Sequence, residues 1–86
     1  MIKKEFVLEN DLGLHSRAAA IFVQLTNRYL SQINIIKGTT TIDGKSIMGI
    51  LCLGIAKNES IVVEADGVDE EEVIQEIENL IMNELV

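Results

Sequence analysis

The chain has 86 residues, 48% of them hydrophobic and only 3% aromatic, so it has room for one small aliphatic core spanning residues 1–86 and no second domain. Its formal net charge is −7, from seven Lys and Arg against fourteen Asp and Glu. That balance argues against nucleic acid or an anionic membrane surface as the default partner, because phosphate-rich surfaces reward cations. One Cys and one His leave no disulfide and no ligand pair at metal spacing, so neither a metal nor another cofactor is expected.

In chain order, Lys3–Leu8 reads as a strand with Phe6 and Leu8 on one face and Val7 breaking the alternation. Asn10 to Gly13 is rich in turn formers. A helix follows from Ser16, its expected N-cap, to Tyr29 or Leu30. Ala19, Phe22, Val23, Thr26 and Leu30 recur there at helical spacing as one buried face, while Ile21 and Leu25 make part of the outer face apolar.

Gln32–Ile36 and Thr39–Ile42 read as two short strands joined at Lys37-Gly38. Ser46 then caps a short helix running to about Leu53, weakened by Gly49. Ser60–Ala65 is a further strand. Asp69 is the expected N-cap of the last helix, whose first turn holds Glu70, Glu71 and Glu72, where the helix dipole favours negative charge. Its buried stripe is Ile74, Ile77, Leu80, Ile81 and Leu85.

The order β-α-β-β-α-β-α makes an α+β chain, folding as a two-layer, open-faced α/β sandwich with three helices on one face of a four-stranded sheet. Gln32, Asn34 and Thr40 mark the other face as polar. No apolar run is long enough to span a bilayer and no leader precedes the first strand, so a cytoplasmic domain is expected.

Charge is uneven. From Asp66 to Glu84 there are eight acidic residues and no basic one, whereas the first 58 residues hold all seven cations against four acids. Anion chemistry therefore belongs to the N-terminal two thirds. Within it, Gly13-Leu14-His15-Ser16-Arg17-Ala18 delivers His15 to the start of a helix. The first amides of a helix lack intrahelical partners and carry partial positive charge, which makes an anion site. Arg17 adds a permanent cation with donors suited to phosphate. Neutral imidazole is nucleophilic near neutral pH, so this arrangement suits a histidine that accepts and releases a phosphoryl group.

Gly13-Leu14-His15-Ser16-Arg17-Ala18-Ala19 closely resembles the Gly-(Leu/Ile)-His-(Ala/Ser)-Arg-Pro-Ala signature of HPr, the histidine-containing phosphocarrier family of the phosphoenolpyruvate-dependent sugar phosphotransferase system. Lys45-Ser46-Ile47-Met48-Gly49, followed by Leu53-Gly54, resembles the run around that family's regulatory serine. The two motifs lie in register, and the resemblance covers essentially the whole chain. It implies the HPr-like fold with an antiparallel sheet. It implies that His15 accepts phosphate, through Nδ1, from charged enzyme I and passes it to sugar-specific IIA proteins, with Arg17 stabilising the group.

The same resemblance implies that Ser46 is the target of an HPr kinase/phosphorylase and, once phosphorylated, a handle for a catabolite-control transcription factor. Ile47, Met48 and Leu51 are then an apolar docking patch beside His15. The chain is expected to be a monomer. A regulatory adaptor governed by Ser46, or a nitrogen-branch paralogue, are the alternatives. A free-standing enzyme has little support, because no Gly-rich nucleotide loop or metal cluster is present. Two positions depart from the family. Ala18 stands where the family usually has Pro. Cys52 stands where it often has Ser, and a buried, inert side chain is expected there.

Overall fold

The computed structural model describes residues 1–85. Strand β1 is Ile2–Val7, helix α1 is Ser16–Thr26, β2 is Gln32–Lys37, β3 is Thr40–Asp43, α2 is Ile47–Leu53, β4 is Ser60–Asp66 and α3 is Glu70–Asn79, which continues into a π-helical turn, Leu80–Glu84. The sheet has the order β1-β4-β2-β3, and every neighbouring pair is antiparallel. The architecture is the expected open-faced sandwich.

Register explains which face is covered. Phe6 opposes Ile61, Ile33 opposes Ala65 and Ile35 opposes Val63, all buried on the side that carries the helices. Phe22 of α1 and Val73 and Ile77 of α3 close that core, each such side chain worth about 1.5–3 kcal/mol on burial. On the open face, Lys3, Glu64 and Asn34 line up across three strands. The Lys3 ammonium lies 3.1 Å from Glu64, and the Asn34 amide donates to the same carboxylate at 3.4 Å. The Lys3 hydrogen bond holds the Glu64 carboxyl below its ordinary range.

Val7, the exception to alternation within its strand, belongs to this open face and is exposed. Thr40 does not share it. Ile42 pairs with buried Ile35, so Thr40, two residues earlier, lies on the helix side at the sheet margin, and Thr41 and Asp43 supply the polar outer positions instead.

Helix α1 stops at Thr26 rather than at Tyr29 or Leu30. The next amides take tighter bonds, Arg28 to the Leu25 carbonyl and Tyr29 to that of Thr26, and Thr26 Oγ1 donates to Gly44 O at 2.8 Å. Leu30 therefore leaves the buried stripe and is 83% exposed. Ile21 and Leu25 are half-buried and pack on the margin of the core. All five residues of the predicted stripe in the last helix are buried, and Val73 joins them.

Asp69 precedes α3 as expected, but its carboxylate does not cap that helix. It accepts from Leu30 N at 2.8 Å, from Ser31 N at 2.9 Å and from the Ser31 hydroxyl, stapling the α1–β2 loop to the start of α3. Gly67 makes the staple possible, since a Cβ there would lie 2.6 Å from Ser31 Cα.

These bonds, the Ser31 hydroxyl foremost, hold the Asp69 carboxyl below its usual value of 3.8. A carboxyl with a depressed folded pKa stabilises the fold above its unfolded value, and that contribution is lost as pH falls through the folded one. Asp69→Asn should therefore melt below the parent chain at pH 7, with the gap closing as pH drops below about 4. Thermal melts of both chains across that window check it; a constant gap would contradict it.

Candidate functional site

Gly13 opens the His15 loop at a position only glycine fits. Its φ is +59°, and a Cβ would sit 2.3 Å from the Ile55 carbonyl oxygen. Leu14 N donates to that same oxygen at 3.0 Å, so the loop lies directly on the segment that leaves α2. Asn10 closes the turn from the other side: its Nδ2 donates to Gly13 O at 2.7 Å, while Gly13 N donates to Asn10 O at 3.1 Å.

His15, rather than Ser16, is the N-cap of α1. Its backbone is extended (φ −72°, ψ 179°), and its carbonyl accepts the Ala19 amide at 2.8 Å. Ser16 is the first helical residue. The half-exposed imidazole makes no capping bond, so among the described residues the amides of Ser16, Arg17 and Ala18 have no hydrogen-bond acceptor. The first turn of α1 contains no acidic residue, in contrast to α3, where Glu70, Glu71 and Glu72 crowd the same place. The positive end of α1 is left open for an anion.

The cations are distributed to match. Lys3, Lys4, Lys37 and Lys57 are paired with Glu64, Glu78, Glu59 and Asp11, and Lys45 Nζ donates to Tyr29 O at 2.7 Å. Among the described residues, the exposed Arg17 and Arg28 guanidiniums have no ion pair; Arg28 lies past the far end of α1, whereas Arg17 stands two positions into the helix that His15 begins.

Helices α1 and α2 pack antiparallel. The head of α1 meets the end of α2 through Leu14 and Ile55, and the end of α1 meets the start of α2 through Thr26–Gly44 and Tyr29–Lys45. Ser46 therefore stands at the opposite end of the helix pair from His15, separated by the length of a seven-residue helix, roughly 10 Å. Between these ends, α2 buries only Ile50. Ile47, Met48 and Leu51 are exposed, by 40, 70 and 39%. The predicted site residues thus share the α1–α2 face of the molecule, but Ser46 is remote from the imidazole.

Cys52 corrects the expectation of burial: it is exposed. Two residues beyond Ile50 is about 200° around a helix, so burying the one turns the other outward.

The Ser46 hydroxyl accepts from Gly49 N at 3.1 Å, a genuine N-cap, and Gly54 ends the helix in the left-handed conformation. Ser46→Ala should cost about 1 kcal/mol, read as a Tm lowered by about 4–8 °C, through this bond alone. An unchanged melt would show that the cap contributes nothing.

Two supporting residues escaped the sequence reading. Lys37 Nζ donates to the carbonyls of Leu53, at 3.3 Å, and Gly54, at 3.1 Å, and lies 2.9 Å from Glu59. It thereby neutralises the negative end of α2 where that end abuts the His15 loop, and it holds the Glu59 carboxyl below its ordinary range. Its partners are distant in sequence, so no local signal betrays it. Asn10 was legible in principle, as an Asn three residues before a glycine in a turn.

A family model described as the PTS HPr component phosphorylation site matches residues 2–83. The phosphocarrier protein HPr of Neisseria meningitidis is 38% identical over 81 residues, which is 94% of this chain and 91% of that protein. Among solved structures, HPr-C-His from Thermoanaerobacter tengcongensis superposes with a TM-score of 0.92 at 40% identity, covering 94% of this chain and 91% of the other. The Bacillus subtilis catabolite-repression protein Crh, crystallised as an intertwined, domain-swapped dimer, superposes with a TM-score of 0.77 at 29% identity over 100% of this chain and 99% of its own.

Proposed function

This chain belongs to the HPr family, the histidine-containing phosphocarriers of the phosphoenolpyruvate-dependent sugar phosphotransferase system, and from that premise we propose that His15 accepts a phosphoryl group from phosphorylated enzyme I and hands it to sugar-specific IIA proteins. The observation that carries the reading is the uncapped head of α1, with His15 at the N-cap position and an Arg17 in the first turn that has no ion pair among the described residues.

Chemically, the phosphorus–donor bond on enzyme I breaks as a bond from phosphorus to a His15 ring nitrogen forms, Nδ1 by family precedent. The second transfer breaks that P–N bond as the IIA acceptor takes the phosphorus, and His15 is regenerated unmodified. On His15 the group brings about two negative charges to the positive end of α1. Arg17 offsets part of that charge without drawing on another carboxylate's partner. Exposed Ile47, Met48 and Leu51 supply an adaptable apolar surface on the neighbouring helix, where enzyme I and the IIA proteins dock.

A second reading rests on Ser46. Its hydroxyl is half-exposed at the start of the helix that displays this patch, so a kinase-added phosphate there changes the charge of the docking face and leaves His15 itself untouched. The chain then also acts as a regulatory adaptor, docking on a catabolite-control transcription factor after phosphorylation by an HPr kinase/phosphorylase.

The test of the main reading is incubation with phosphoenolpyruvate and a competent enzyme I, followed by intact mass and acid treatment. One acid-labile phosphoryl group is expected. A folded chain that stays unmodified, beside an ordinary HPr that becomes charged, overturns the carrier role.

A further inference from the structure

We propose that the unpaired edge of β1, with the groove beside it, is a docking site for an extended basic segment of a partner protein, which adds to the sheet as a further strand.

The sheet ends at β1, which pairs with β4 alone. Leu8, just past the strand, shows which backbone groups are already committed. Its N–H donates to Glu59 O at 3.0 Å, and its carbonyl accepts from Asn58 N at 2.6 Å. In an antiparallel strand the N–H and C=O of one residue point the same way, and the direction alternates along the chain. Phe6 and Lys4 therefore bond toward β4, whereas the amides and carbonyls of Val7, Glu5 and Lys3 point away from the sheet. Such a row is a template for another strand.

A groove of about 350 Å³ runs along this edge, between β1 and the end of α3 with its π-helical turn. Phe6, Ile81 and Met82, the last 66% exposed, give it an apolar wall. Its charge is one-sided. Glu5, Glu9 and Glu78 line it beside one cation, Lys4, which Glu78 already holds. Among the described residues, neither Glu5 nor Glu9 has an ion pair.

An added strand turns alternate side chains to the two faces of the sheet. Its apolar residues meet Ile81 and Met82 on the helix side, and its basic residues meet Glu5 on the open side. A second copy of this chain matches the groove poorly, because it carries a net charge of −7 and brings the same carboxylates.

The probe is a terminally capped Val-Lys-Val-Lys-Val peptide, added in the millimolar range to the 15N-labelled full chain. Amide exchange should slow at Glu5 and Val7, which gain acceptors, and stay unchanged at Lys4 and Phe6. Amides of α2 around Met48 should not shift. Slowing without that alternation, shifts confined to α2, or no response at all overturns the proposal. An equal response to Val-Glu-Val-Glu-Val does so too, because it removes the charge preference. Slowing at Glu5 and Val7 that grows with the chain's own concentration, without peptide, would give the edge to a second copy and sink the basic partner.

Two variants test the backbone and the charge separately. Val7→Pro removes an outward N–H and no bond of the ladder, so the edge strand tolerates it; peptide affinity should fall about tenfold. Val7→Ala keeps the N–H and should stay within about twofold of the parent. Glu9→Lys should weaken the peptide about fivefold, and it decides the matter even where the proline variant does not fold. Unchanged affinity in Glu9→Lys overturns the basic partner, and a Val7→Ala loss equal to that of Val7→Pro overturns the strand pairing.

Discussion

His15→Ala is expected to take up no acid-labile phosphate from phosphoenolpyruvate and enzyme I, whereas the parent chain takes one equivalent. The chain contains a single histidine, so the loss should be complete. Stability should change little, by about 0.5 kcal/mol or less, because the His15 side chain makes no hydrogen bond in the described structure and is half-exposed. The pairing of total chemical loss with an unchanged melt separates a reacting group from a structural one. Residual acid-labile phosphate on the variant would place the acceptor elsewhere and sink the assignment.

Serine-dependent docking should survive His15→Ala, because Ser46 and its Gly49 bond lie at the far end of α2 from the His15 loop. Docking lost together with phosphoryl uptake would instead make the two faces one.

Gly13→Ala should show the largest loss of stability. The glycine has φ +59°, where an L side chain costs about 1–2 kcal/mol. The added methyl would lie 2.3 Å from Ile55 O and 2.8 Å from Ala56 C, and those contacts are backbone, which cannot swing aside. Overpacking of this sort adds typically about 1–3 kcal/mol. Together these predict a loss of about 2–5 kcal/mol, a severe fraction of the stability of a chain this small. The carrier rate should fall as well, because the loop relieves the clash by lifting off the 55–56 segment and carries His15 with it. Urea denaturation with phosphoryl-uptake kinetics checks both. A variant as stable and as fast as the parent would show that the close approach of Gly13 to Ile55 does not exist in solution.

The outcome at particular residues follows from the range over which each interaction acts. Phe22, Val23, Ile74 and Ile77 were legible because helical periodicity is local, and a buried stripe repeats within the segment that carries it. Ser46 was legible as a cap for the same reason, since its bond to Gly49 spans three residues. His15 and Arg17 were legible only as candidates. Their residue types suit phosphoryl chemistry, and the family motif in register with the Ser46 run raised them above an ordinary helix start. Leu30 was misread because periodicity does not report where a helix stops. Its end was decided by Thr26 bonding to Gly44 and by Asp69 taking the Leu30 and Ser31 amides from 39 and 38 residues away. Cys52 was misread because a seven-residue helix that buries only Ile50 exposes most of its other faces.

By itself, then, the sequence determined the element order, the aliphatic core, the acidic C-terminal third and the two motifs that mark His15 and Ser46, all of them properties of composition or of spacing within one segment. Only the tertiary structure decided that α1 and α2 run antiparallel with Ser46 at the opposite end from His15, that Lys37 neutralises the end of α2 beside the His15 loop, and that Asp69 fastens a distant loop rather than its own helix. Each of these depends on groups brought together from separate strands and helices, and the long-range packing of the core, not any local preference, sets those distances.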